Sequence, residues 1–113
     1  ENSKEVELRE IEPGDFISIL NSGKNNSLDH ILVIHEIEYK NNLPKTIKYT
    51  HSFRWSSDGQ FGHGIKQGKI KINDLDQILL DQDWIEANKK NEKNETYKRA
   101  KQAEDLTVRR IKL

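Results

Sequence analysis

The chain has 113 residues, with 19 basic and 19 acidic side chains, four His, no Cys and no Met. That length suits one compact domain with a modest core, and the balanced charge argues against a dedicated nucleic-acid binder. Without thiols, disulfides, thiolate zinc sites and a cysteine nucleophile are excluded within these residues, and the longest apolar run, Ile31-Leu32-Val33-Ile34, falls far short of a bilayer span.

Glu1 to Glu12 is charged, with only Val6, Leu8 and Ile11 able to pack. Pro13-Gly14-Asp15 is a turn signature that opens a strand, Phe16 to Leu20. Asn21 to Ser27 reads as a loop. His30 to Tyr39 is the longest predicted strand: its first half is apolar on both faces, as in a central strand, and Glu36 and Glu38 then alternate with Ile37 and Tyr39. Asn41-Asn42-Leu43-Pro44 makes a hairpin connection to Thr46–Phe53, where Ile47, Tyr49, His51 and Phe53 share one face. Ser56 to Gly59 is a turn, and Gly62 and Gly64 flank His63 in a loop. Ile65 to Ile72, broken at Gly68, is another strand or a tight hairpin. Asn73-Asp74 supplies an N-cap for a short helix, Leu75 to Leu80. A second short helix is predicted around Trp84, a third from Thr96 to Leu106, and a closing strand from Thr107 to Leu113.

Charge is uneven along this order. Residues 1–85 hold 10 basic and 14 acidic groups, a net of −4, and residues 86–113 hold 9 and 5, a net of +4. The polar stretch Glu86 to Leu106 has one aromatic, Tyr97, too few for a base-stacking surface, and reads as a solvated helical face with its loop. The pattern as a whole predicts an α+β fold: an antiparallel sheet curled into a partly open barrel, with C-terminal helices beside the return strand.

Histidines are the candidate chemistry. His30 begins the most apolar strand and His51 lies on the apolar face of the next, so a hairpin places both imidazoles on one face of adjacent strands. One ring can then hydrogen-bond the other and set its tautomer, the arrangement of a general base and its orienting partner. The same placement also fits two satisfied core histidines. His35 falls on the opposite face and reads as structural. A His-only metal site from His35, His51 and His63 lacks the usual paired spacing, so no metal and no cofactor are expected.

The order Pro13-Gly14-Asp15-Phe16-Ile17, Asp29-His30-Ile31-Leu32-Val33-Ile34 and Tyr49-Thr50-His51-Ser52, closed by Arg109-Arg110-Ile111, resembles the NlpC-type family of papain-like peptidases and amidases, which act mostly on cell-wall peptides. The resemblance covers roughly residues 12–72 and the last seven, and Ile65 to Ala103 has no clear counterpart in it. It implies that His30 is the general base, that His51 orients it, and that the chain is the His-bearing half of a papain-like fold. The family's nucleophile is a Cys on a helix some tens of residues before the Gly-Asp strand. That helix is expected upstream of Glu1, in agreement with the missing initiator Met, so residues 1–113 are read as a single or partial domain that is inactive alone.

Two functions follow. The first is a fragment of a thiol peptidase or amidase, with a peptide or amide substrate, the upstream segment of the same protein as its partner, and Arg54 and Trp55 lining the cleft. An envelope or secreted location goes with that resemblance. The alternative is a non-catalytic β-barrel binding module that uses Phe53, Trp55 and the Gly59–Gly64 loop as its surface. Neither reading involves nucleic acid or a membrane span in this chain.

Overall fold

The computed structural model describes residues 2–22, 28–53 and 64–112. Among these residues, eight strands form one open antiparallel sheet: β1 (Ser3–Glu5), β2 (Phe16–Ser22), β3 (Leu28–Lys40), β4 (Leu43–Phe53), β5 (Gly64–Lys71), β6 (Asp83–Glu86), β7 (Lys89–Lys90) and β8 (Asp105–Ile111), in the spatial order β1-β8-β2-β3-β4-β5-β6-β7. Among the described residues there is one α-helix, α1 (Glu95–Gln102). The expected α+β half of a papain-like fold, with a curled barrel and several C-terminal helices, is therefore overturned: 55% of the structure is strand and 18% helical, and the sheet does not close. No helix among the described residues is long and apolar enough to cross a membrane.

The central strands follow from the sequence pattern. Ile17, Ile19, Leu32, Ile34, Ile47, Tyr49 and Ile70 alternate along β2 to β5 and are fully buried on one face. The β3–β4 hairpin turns through Asn41 and Asn42, both at positive φ (54° and 65°), as a two-residue turn matched to strand twist requires. Gly14, at φ +98°, and Asp15 lead into β2; the Asp15 carboxylate accepts from the Glu12 backbone N–H and is gripped by the forked Arg110 guanidinium at 2.7 and 2.9 Å. That bidentate pair ties the Pro-Gly-Asp turn to the return strand β8.

The corrections lie in the C-terminal third. Leu75 to Leu80 does not form a helix, because Gln82 draws the segment into a turn. Its Oε1 accepts from the Asn73 and Asp74 N–H groups, and its Nε2 donates to the Asp74 and Ile78 carbonyls, leaving one 3₁₀ turn at Leu79–Asp81. The residues around Trp84 are strand, not helix: β6 pairs with β5, which brings Trp84 opposite Ile70 and fully buries the indole, and its Nε1 donates to the Leu79 carbonyl at 3.0 Å. The predicted helix from Thr96 to Leu106 stops at Gln102, because Asp105 and Leu106 pair with Leu20 and Ile19 of β2. β3 is also not covered on both sides, since Ile31 and Val33 are about half exposed. The core lies on the other face, where α1 packs Tyr97 and Ala100 inward and the N-terminal segment adds Val6 and Ile11.

Candidate functional site

At one end of the buried face, β3 and β4 bring His30 and His51 together, with His30 Nε2 and His51 Nδ1 2.7 Å apart and the rings nearly perpendicular at 83°. The far side of His51 meets a carboxylate: His51 Nε2 lies 3.0 Å from Glu86 Oε1. Glu86 comes from β6, two strands away, and its Oε1 also accepts the Tyr49 hydroxyl at 2.6 Å and the Thr96 hydroxyl at 3.0 Å. His51 is 3% and Glu86 8% exposed, whereas His30 is only partly buried, so the chain runs from the interior toward solvent.

Each member is held by its own element. Tyr49 and His51 share the inner face of β4. Gly68 on β5 makes room for the Tyr49 ring, since a Cβ there would collide with the phenol oxygen and Cζ. Thr96 is set by the first turn of α1, whose N-cap Asn94 accepts the Thr96 and Tyr97 N–H groups at 2.9 and 3.3 Å.

The electrostatics order the protons. Burial acts to raise the Glu86 carboxyl, but the hydrogen bonds from His51, Tyr49 and Thr96 outweigh it and hold the group below its ordinary range. Burial, and then the Glu86 charge, push the Tyr49 phenol far upward, so it remains a donor. An ionised Glu86 takes a hydrogen from His51 Nε2; in the tautomer with that hydrogen and none on Nδ1, His51 Nδ1 accepts from His30. His30 Nε2 then carries the hydrogen it donates, and the lone pair of His30 falls on Nδ1. Burial first, and then the neighbouring His51, lower the His30 pKa to about 4, so its ring is neutral at physiological pH. A neutral imidazole with its tautomer set through a second ring by a buried carboxylate can take up a proton, as a general base does.

The other predicted residues do not join this group. His35 sits on the opposite face, its Nδ1 2.8 Å from the Thr50 hydroxyl, and so does not meet His51 in a metal site. Arg54, Trp55 and His63 lie outside the described residues, as does most of the Gly59–Gly64 loop. Among the described residues no three His, Cys, Asp or Glu side chains are grouped to hold a metal ion. Glu86, Tyr49 and Thr96 were not marked by sequence reasoning as parts of the site. The only local signal for Glu86 is its period-two spacing from Trp84, and its partners lie 35 and 37 residues before it and 10 after it. No family model, no curated protein and no solved structure matches the chain.

Proposed function

We propose that this chain carries the general base of a thiol hydrolase that cleaves amide bonds in peptides, with His30 as the base and His51 and Glu86 as the residues that position it. The observation that carries this reading is the continuous chain from Glu86 Oε1 through His51 to His30, with contacts of 3.0 and 2.7 Å. A buried histidine must satisfy both ring nitrogens, as His51 does; a carboxylate-ordered pair that ends at a partly exposed ring in addition suits proton transfer at that ring. The chain contains no Cys, so the nucleophile in this proposal belongs to a segment outside these 113 residues, placed against the solvent-facing edge of His30. There His30 Nδ1 takes the thiol proton, the thiolate attacks the amide carbonyl, and the imidazolium returns the proton to the departing amine. The motif order of the sequence supports peptides of the cell wall as the substrate class.

The test is turnover of peptidoglycan stem peptides and of chromogenic amides and esters by the native protein and by its His30→Ala variant. A base role predicts a loss of about 10²–10⁴-fold in kcat/KM. Equal turnover by the two proteins refutes it.

A further inference from the structure

β1 leaves β8 before β8 ends. Their ladder runs from Ser3 opposite Ile111 to Glu5 opposite Arg109, and beyond it the Val6 N–H donates to the Val108 carbonyl at 2.8 Å. The chain then departs through a 3₁₀ turn at Leu8–Glu10. Peptide groups along a strand alternate between its two neighbours, so the bond at Val108 places the Leu106 N–H and C=O on that same side, where β1 no longer runs. A cleft of about 340 Å³ lies at this gap. Val6 and Leu8 line it from the N-terminal segment, Leu75 and Leu79 from the turn before β6, and Leu106 and Val108 from β8. Two carboxylates also line it: Glu5 and Glu7 are exposed and, among the described residues, have no ion-pair partner, whereas Arg9 is taken up by Asp76 at 2.6 Å.

We infer that this cleft binds an extended peptide of another polypeptide, in which an apolar side chain is flanked by basic ones. The peptide adds a short strand to the free edge of β8, and its backbone exchanges hydrogen bonds with the Leu106 peptide groups. Directly paired residues point their side chains to the same face, so the residue opposite Leu106 directs its side chain to the apolar lining. Its neighbours alternate outward, where their charges meet Glu5 and Glu7. Complementary charge is what selects a basic occupant, since the rim cation Arg9 is already neutralised by Asp76. None of these residues belongs to the His30–His51–Glu86 group, so the cleft and the proposed base stand or fall separately.

The probes are N-acetyl-Lys-Leu-Lys-amide and three relatives: one with Glu for both Lys, one with Ala for Leu, and one methylated on the Leu nitrogen. Each is titrated into the protein while the Leu106 backbone amide resonance is followed by NMR. The Lys-Leu-Lys peptide is expected to shift that resonance saturably and to bind about tenfold more tightly than its Glu-flanked relative. The Ala and N-methyl peptides are each expected to bind about fivefold more weakly or worse, through the lost apolar contact and the lost backbone donor. Combining Glu5→Gln with Glu7→Gln is expected to bring the Lys- and Glu-flanked peptides to equal affinity; both positions are exposed, and unmoved amide resonances elsewhere show that the fold is kept. The inference is overturned by no saturable shift at Leu106, by undiminished binding of the Glu-flanked, Ala or N-methyl peptide, or by a charge preference that survives the double substitution. A Leu106 resonance that moves with protein concentration alone assigns the edge to a second copy and overturns it too.

Discussion

At the scale of single residues, the site depends on how closely Tyr49 and Gly68 approach. The phenol reaches Glu86 because β5 offers no side chain beneath it, and a methyl group at that position would collide with the ring oxygen and Cζ. Gly68→Ala is therefore expected to cost about 1–3 kcal/mol through overpacking, read as a lower urea midpoint with an unchanged slope. An unaltered midpoint would show that the ring moves aside freely. Gly68 was visible in the sequence only as an interruption of a strand. Its reason is tertiary, because the atom that excludes a side chain belongs to a residue 19 positions earlier on the neighbouring strand.

At the scale of elements, α1 acts through its first turn. Asn94 caps the helix, and the same turn fixes Thr96 against Glu86. Asn94→Ala removes the acceptor for two backbone N–H groups and is expected to cost about 0.5–2 kcal/mol, measured as a lower midpoint of thermal unfolding. Because the turn also carries Thr96, the His51 ring resonance is expected to move with it; a stability loss that leaves that resonance in place would separate the cap from the site. Element type was legible where period and turn chemistry agreed: β2, β3, β4 and β5 each lie within a few residues of their predicted spans, and Asn41-Asn42 announced its hairpin. Around Trp84 they disagreed. Ala87 is a strong helix former, yet it adopts φ 52° beside Asn88 at φ 63° to turn β6 into β7. Pairing of β6 with the exposed edge of β5, and burial of Trp84, outweigh that local preference.

For the whole molecule, the relay predicts how stability varies with pH. In the unfolded chain His30 titrates near its ordinary 6.5, and in the folded protein near 4. Between those values the unfolded state binds the additional proton, so this contribution is fully present above pH 6.5 and is lost as pH falls toward 4. Glu86, held below its ordinary 4.5, contributes a further loss at lower pH, where its carboxylate protonates and ceases to accept three donors. Urea midpoints measured across this range should be level at neutral pH and decline below it. His30→Gln is expected to remove the part of the decline between pH 6.5 and 4, and an unchanged profile in that variant would count against the buried, neutral His30.

The sequence by itself determined the strand-rich core, the hairpin that aligns β3 with β4, and the shared face of His30 and His51, because all three follow from local periodicity and turn residues that act within a few positions of one another. It also determined that none of these 113 residues carries a thiol. Only the tertiary structure decided that the sheet is open and extends to β6 and β7, that one helix rather than three forms among the described residues, and that Glu86, Tyr49 and Thr96 complete the histidine pair. Those outcomes depend on contacts between segments distant in sequence: a free strand edge recruits Trp84 against helix propensity, and burial of Glu86 among three donors fixes a charge that no local pattern announces.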